Sequence, residues 1–345
     1  MNHILVDWKK EGEFFIEKEF AKMGVDCKLH VIQNYSMKDR IKAYRIIFLY
    51  FKYLQFTYRA IVNSKDNDVL ICWNFTTSIA CGYLCKILHK KRIVLGLNII
   101  ARERNLISET IRRLIFSPLM NSDNYYITIN SSIYIDDYCR RFKVNKDKFF
   151  VLNDPISTSE INDFNYKESY IFVGGEVERD WETLFKACEE IPQIKFVCIA
   201  RKKYFNQSLK IPGNVELHFD TDHDTFFNFM RNSSIVLIPL KSQLPTGLIV
   251  LLESALMQKP VIATNTPSIA NYIENGKRGL LIEQGNPKDI LDKINILYNN
   301  IELQKSVTTN LLSYVLTNHS HESYSKILLE IIEKISVQKS NKNLK

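Results

Sequence analysis

The sequence predicts an α/β protein built from two doubly wound domains, each a parallel sheet with helices on both faces. Short apolar, β-rich runs alternate with longer helical patterns, and that alternation belongs to parallel sheets. The alternation is interrupted once, by the polar, turn-rich NDPISTSEINDFNYKES, and then starts again. A chain of 345 residues with 46% hydrophobic and 12% aromatic content is globular and long enough for two cores.

In the first half the strand candidates are HILVDW (3–8), DCKLHVI (26–32), DVLICW (68–73), RIVLGLN (92–98), YYITIN (125–130) and KFFVLND (148–154), with helical segments between most of them. In the second half they are SYIFVGG (169–175), IKFVCIA (194–200), VELHF (215–219), SIVLIPL (234–240), PVIAT (260–264) and GLLIE (279–283). The division falls near 155–168. It gives a first domain over 1–158, a second over 159–337 whose last helix is expected to pack back on the first, and a polar tail, 338–345, expected to fray. Two such sheets facing one another form a cleft, with ligands at the carboxyl ends of the strands.

Charge divides unevenly. Residues 1–150 hold 25 Lys and Arg against 15 Asp and Glu, a net of +10 out of the chain's total of +8, so the remainder is slightly acidic. The densest basic stretch is KDRIKAYRIIFLYFKYLQFTYR, 38–59, where Lys38, Arg40, Lys42, Arg45, Lys52 and Arg59 interleave with aromatic and aliphatic residues. Two readings stand side by side: a peripheral contact with an anionic membrane, or an ordinary helix with a solvated basic face. No nucleic-acid-binding motif accompanies the charge, and no nucleic-acid partner is expected. The start, MNHILVDW, carries no secretory signal pattern and no apolar segment reaches membrane-spanning length, so a cytoplasmic location is expected, with the inner membrane face as a place of contact. The seven cysteines lack paired CxxC spacing and read as reduced core residues, Cys81 and Cys85 included.

The stretch PTGLIVLLESALMQKPVIAT, 245–264, poses the functional question, because a single carboxylate, Glu253, interrupts an apolar helix. Thr246 is expected to cap that helix and Gly247 to open it, with Lys259-Pro260 ending it after about Gln258. The free N–H groups at Thr246, Gly247 and Leu248, with the helix dipole, attract an anion. Glu253 lies six residues on, about 9 Å along the axis, roughly the span from a diphosphate to its ribose. A carboxylate there can accept from both ribose hydroxyls. The alternative is an ion pair or a rim position, since a buried unpaired carboxylate is costly.

GLIVLLESALMQKPVIATNTPSIANYIENGKRGLLIEQGNPKDI resembles the nucleotide-sugar segment of GT-B glycosyltransferases, specifically glycosyltransferase family 4. The likeness extends to SYIFVGGEVERDWETLFKA, 169–187, and over the rest of the chain in strand and helix order. It implies the GT-B fold, two Rossmann-like domains with the acceptor bound by the first and a UDP- or GDP-sugar donor by the second. Glu253 matches the motif glutamate that holds the ribose. Gly174, Gly175 and Arg179 fall in the loop whose basic residue contacts the donor diphosphate, Arg201 is a second cation with Lys202 behind it, and Phe219, with His218 and Asp220, lies where the family lays the base along the backbone. No acidic metal-binding cluster such as DxD is visible, so a cation from the protein is expected to meet the leaving diphosphate, without metal or cofactor.

The departures concern catalysis. Pro245 stands where the family has a glutamate on the transferred sugar, which leaves Ser242, Gln243 or the backbone near Thr246 to take its place. Gly12 alone represents the glycine-rich loop after the first strand, and Asn98, in LGLNIIARER, stands near the usual histidine; with Arg179 it is the catalytic candidate. The resemblance implies a retaining, metal-independent transfer to a glycan or lipid-linked acceptor, as in bacterial surface polysaccharide synthesis. The alternatives are a non-catalytic GT-B partner subunit and a nucleotide-sugar epimerase of the same fold.

Overall fold

The computed structural model describes residues 1–6, 14–31, 43–98, 106–164 and 170–343, with side chains for all of these but 43–50, 106–108 and 342–343. Lys38, Arg40, Lys42 and Gly12 lie outside the described residues, as does the side chain of Arg45 and part of the boundary stretch 155–168. The chain divides into two compact units, the first made of Met1–Pro155 with His321–Lys345, the second of Ile156–Ser320.

Unit 1 carries β1 (Asn2–Val6), α1 (Phe15–Lys22), β2 (Cys27–Val31), α2 (Ala43–Val62), β3 (Val69–Cys72), α3 (Phe75–Ile87), β4 (Ile93–Gly96), α4 (Leu106–Met120), β5 (Tyr125–Ile129), α5 (Ile135–Phe142) and β6 (Phe149–Val151). Its strands form one parallel sheet in the order β2-β1-β3-β4-β5-β6. Strands such as Val69–Cys72 and Tyr125–Ile129 are buried along their whole length, as expected for a sheet covered on both faces. Ala60, Ile61, Cys81, Cys85, Phe116 and Phe142 bring α2 to α5 onto one face. All seven cysteines are free thiols, five of them buried.

Unit 2 continues with β7 (Ile171–Gly175), α6 (Trp181–Glu190), β8 (Phe196–Ala200), β9 (Val215–Phe219), α7 (His223–Arg231), β10 (Ile235–Ile238), α8 (Leu248–Leu256), β11 (Val261–Thr264), α9 (Pro267–Ala270), β12 (Leu280–Ile282), α10 (Pro287–Tyr298) and α11 (Ile301–His319). The strand order is β12-β11-β10-β7-β8-β9, again parallel. The connections leave β7 in one direction and return on its other side at β10. Trp181, Leu184 and Phe185 place α6 on one face, while Leu251, Leu252 and Ala255 place α8 on the other. A crevice therefore opens between the carboxyl ends of β7 and β10, the position at which sheets of this kind bind ligands.

Each of the twelve expected strands is present. One grouping differs: residues 321–337, placed by sequence with the second domain, belong to unit 1 as α12 (His321–Asn343). Tyr324, Leu328, Ile331 and Ile335 recur at helical spacing and bury one stripe against Ile4, Val6, Phe20 and Leu95. Residues 338–343, expected as a separate tail, continue that helix.

Candidate functional site

The crevice in unit 2 is organised by Arg179. Its side chain is 5% exposed, and burial pulls its pKa down to about 10, which leaves it cationic at neutral pH. Nε donates to the Gly174 carbonyl at 2.8 Å and Nη1 to the Val177 carbonyl at 3.3 Å. Among the described residues no carboxylate lies within ion-pairing distance of it. A buried cation held only by neutral carbonyls is expensive to maintain, which is the usual mark of a group kept for an anionic ligand.

The loop that carries this arginine is locked to the next strand of the crevice. Arg179 bridges Leu240 across an antiparallel pair, Asp180 N donates to Pro239 O at 3.0 Å, and Lys241 N to Glu178 O at 3.1 Å. Asp180 then caps α6 by accepting from Thr183 N at 3.1 Å. Glu178 holds a left-handed backbone, φ 60°, to make the turn, at a cost of about 1 kcal/mol.

The two glycines of the VGG run differ in what they do. A Cβ on Gly175 would fall 2.1 Å from Arg179 Nη2, so this glycine makes room for the guanidinium, and its φ of +149° disfavours any other residue. A Cβ on Gly174 would instead strike Phe172 and Phe226. Its smallness serves packing, and its carbonyl anchors Arg179.

Gly247 is the N-cap of α8, at φ +82°, and a Cβ built there would lie 3.8 Å from Arg179 Nη1. The guanidinium and the open end of the helix therefore meet at one point, which gives an anion two sources of positive potential. The expectation that Thr246 caps this helix is corrected. Gly247 holds the cap position, no side chain caps it, and the buried Thr246 hydroxyl has no hydrogen-bond partner. The left-handed glycine turns the chain so that the threonine is carried past the first N–H groups. The helix also ends at Leu256, with Met257 as its C-cap, slightly before the expected Gln258. The Leu248 side chain is buried in the core, so only its N–H remains for a ligand.

Glu253 is half-buried on α8, and its carboxylate makes no hydrogen bond or ion pair among the described residues. Burial pushes its carboxyl pKa up; His223 and Arg231 oppose that from a distance and Glu160 adds to it. The ion-pair alternative does not fit this environment, whereas a rim position remains compatible with the half-buried carboxylate and with Ile249, 69% exposed on the same helix.

The remaining candidates sit on the same edge of the sheet but are engaged. Arg201, following β8, binds Glu176 through Nε at 3.0 Å and lies 3.9 Å from Asp220. Lys202 donates its N–H to Asp220, 3.4 Å. Phe219 ends β9, the edge strand, and packs its ring edgewise on Phe205 with centroids 5.3 Å apart. His218 pairs with Glu216 at 2.6 Å. Glu176 was not singled out by sequence; its position at the carboxyl end of β7 is the signal that marks it.

Asn98 belongs to unit 1, where its backbone is left-handed at φ 44°. Its carboxamide donates to Asp154 at 3.1 Å and accepts from the Thr128 hydroxyl at 3.2 Å, while Asn130 donates to the other Asp154 oxygen at 3.3 Å. Both ends of the Asn98 amide are thus occupied within the unit. Among the described residues no group of three or more His, Cys, Asp or Glu is placed to hold a metal ion, and no helix is long and apolar enough to cross a membrane.

Comparison with known proteins bears on the fold and on the family of the second unit. Residues 160–311 match the family described as glycosyl transferases group 1. An uncharacterized glycosyltransferase of Methanocaldococcus jannaschii is 31% identical over 154 residues, which is 43% of this chain and 42% of that relative's length. Among solved structures, Anabaena HepE in complex with UDP-glucose is similar with a TM-score of 0.68 at 12% identity, covering 96% of this chain and 99% of the other. The lipopolysaccharide outer core galactosyltransferase WaaB superposes with a TM-score of 0.65 at 14% identity, over 97% of this chain and all of the other. At such identities the structures show the fold alone. The chain has the GT-B fold, and residues 160–311, within its second unit, match the glycosyl transferases group 1 family.

Proposed function

We propose that this protein transfers a sugar from a nucleotide-diphosphate donor, a UDP- or GDP-sugar, held at the carboxyl edge of the second sheet. The observation that carries the reading is the buried Arg179 guanidinium, without a carboxylate partner among the described residues, beside the open N-terminus of α8. As the glycosidic bond breaks, the diphosphate gains negative charge, and both groups face where that charge develops. A guanidinium is suited to this because its planar fork binds two phosphate oxygens at once. Glu253, one and a half turns along α8, accepts from the ribose hydroxyls.

In this reading the reaction is retaining, of the kind found in glycosyltransferase family 4, and independent of metal and of any cofactor beyond the donor. The departing diphosphate takes the acceptor proton, so the proline at 245 does not remove an essential base. The acceptor is a glycan or a lipid-linked glycan of a surface polysaccharide, reached from the cytoplasm. The likeness to HepE and WaaB supports this reading through fold, and the group 1 domain supports the donor class.

The test is a melting screen of the purified chain with UDP, GDP and their sugar conjugates, followed by turnover with and without EDTA. A ligand that binds the folded state raises the midpoint by mass action. Stabilisation by one nucleotide and EDTA-insensitive release of it in the presence of acceptor are expected. Binding without turnover would make the chain a non-catalytic partner, an isomerised nucleotide sugar would make it an epimerase, and a rate abolished by EDTA and restored by Mn²⁺ would overturn the metal-independent mechanism.

A further inference from the structure

The loop that leads from β10 into α8 is polar, and its side chains divide into those already engaged and one that is not. Ser242 Oγ accepts from Leu244 N at 3.4 Å, the Gln243 carboxamide donates to Gln284, and Gln284 donates in turn to the Lys241 carbonyl at 2.7 Å. Ser242 and Gln243 therefore hold the loop's shape. The Thr246 N–H, expected from sequence to be free for an anion, donates instead to the Leu244 carbonyl at 2.8 Å. That bond closes a three-residue turn centred on Pro245, a place that suits proline because its ring fixes φ near the value such a turn needs. What Thr246 has left to offer is its hydroxyl.

Thr246 is 8% exposed, and its Oγ1 is buried without a partner among the described residues. A buried hydroxyl is ordinarily matched. This one stands one residue before Gly247, the N-cap of a nine-residue helix whose first turn closes with Leu251 N on the Gly247 carbonyl at 3.0 Å. The N–H groups of Leu248, Ile249 and Val250 thus have no partner inside the helix, and Arg179 Nη1 lies 3.8 Å from the Cβ position of Gly247. The hydroxyl borders the point where both positive groups meet. Direction along α8 says which part of a diphosphate it faces: Glu253, assigned above to the ribose, lies about 9 Å beyond the cap, and Thr246 lies on the other side of it. The phosphate nearer the ribose falls toward Glu253 and the distal one toward Thr246. We propose that the Thr246 hydroxyl donates to the distal phosphate of the donor and so sets diphosphates apart from monophosphates. As the bond from the anomeric carbon to the phosphate oxygen breaks, its electron pair stays on that oxygen, and a hydrogen bond to the phosphate strengthens with the charge.

This contact rests on the donor reading, and the experiment separates the two. Thr246→Val keeps the shape of the side chain and removes the hydroxyl, whereas Thr246→Ser keeps the hydroxyl. The full chain is titrated with UDP, UMP, GDP and GMP, and the melting temperature of each unliganded variant is recorded beside the affinities. Thr246→Val is expected to bind the diphosphate that the wild type selects about 10- to 100-fold more weakly, with the affinity for its monophosphate unchanged. Thr246→Ser should stay near wild type. Because an unmatched buried hydroxyl is removed, unliganded Thr246→Val should melt at or above the wild-type temperature, which a hydroxyl serving only the fold would not allow. Undiminished diphosphate affinity in Thr246→Val, equal weakening of mono- and diphosphate, or a lowered melting temperature would overturn the proposal and leave the donor reading intact. A wild type that binds none of the four nucleotides would overturn both.

Discussion

At the carboxyl edge of the first sheet the polar side chains that follow β4, β5 and β6 answer one another, although Asn74 Nδ2 and Thr77 Oγ1 after β3 lack partners, whereas at the corresponding edge of the second sheet Arg179, Glu253 and Thr246 are left open. Asn98, Thr128, Asn130 and Asp154 close a network in which Asp154, though pushed up in pKa by burial, accepts from both asparagines. In unit 2, Arg179 has no counter-ion, Glu253 no donor and the Thr246 hydroxyl no partner among the described residues. Buried polar groups are ordinarily satisfied and buried charges ordinarily paired, so a cation without a counter-ion and an unpartnered hydroxyl in one crevice are the features that the proposed donor would engage. The comparison separates a candidate such as Asn98, engaged within its unit, from candidates such as Arg179 and Glu253, which have no charged partner among the described residues and which the proposed function assigns to the donor.

The largest effect should come from Arg179→Lys, which keeps the charge and loses the fork. The turnover number is expected to fall about 10²- to 10³-fold, with KM changed much less, because the interaction strengthens as the leaving group gains charge. A wild-type kcat in this variant would remove Arg179 from the open set and leave only the helix terminus to meet the diphosphate.

Glu253→Gln sharpens the comparison by moving affinity and stability in opposite directions. Loss of charged hydrogen bonds to the ribose is expected to weaken donor binding by about 1.5–3 kcal/mol, read as Kd. The unliganded protein should melt slightly higher at neutral pH. Burial raises the carboxyl pKa above its ordinary value, so from that value upward the folded state binds more protons than the unfolded state and its stability declines with pH. A neutral amide is spared that penalty. Unchanged Kd in a folded variant would return Glu253 to a purely structural place.

Strand positions were legible because strands in parallel sheets are short, apolar and separated by polar turns, and Gly247 was legible as the start of a helix. Other features were not. Nothing in ERDWE says that the arginine would be buried without a carboxylate partner among the described residues, since that depends on the bridge to Leu240, sixty-one positions on. The fate of Asn98 was hidden for the same reason: its partners are Thr128, in β5, and Asp154, in the segment after β6. The roles of Gly174 and Gly175 separate only when Phe226, from another helix, is seen against the first. Local chemistry is readable from a single segment; which polar groups remain open is a property of pairings made at long range.

Asn98→Gly tests the closed side, with glycine chosen because it accepts the left-handed backbone. If the amide serves the fold, unfolding stability should drop by about 1–3 kcal/mol as Asp154 and Thr128 lose partners, while nucleotide Kd and kcat of the folded enzyme stay near wild type. A fall in kcat without a fall in stability would break the comparison and restore Asn98 as a catalytic group.

The smallest effect belongs to a second closed cluster, at the opposite end of the first sheet, and it is read through pH. His3 is fully buried at the start of β1, with Nε2 3.1 Å from Asp68 and Nδ1 2.9 Å from His30 Nε2. With both rings neutral, His3 donates to the carboxylate and accepts from His30. Burial lowers the pKa of His3, with Asp68 partly opposing, and burial together with His3 and Lys28 lowers His30 to about 4. For Asp68 burial acts upward, but the Lys65 N–H, the amino group of Met1 and His3 outweigh it and bring the carboxyl to about 2. Between the ordinary histidine value of 6.5 and about 4, the unfolded chain therefore binds protons that the folded chain refuses, so the cluster's stabilisation is present near neutrality and is lost as pH falls through that window. Below it, Asp68 continues the loss toward about 2. Urea midpoints of the wild type should accordingly fall between neutral pH and the lower end of the histidine window, and His30→Phe should flatten that slope. A midpoint that stays level across the window in the wild type, or an undiminished slope in His30→Phe, would show that this cluster does not set the acid response of the first unit.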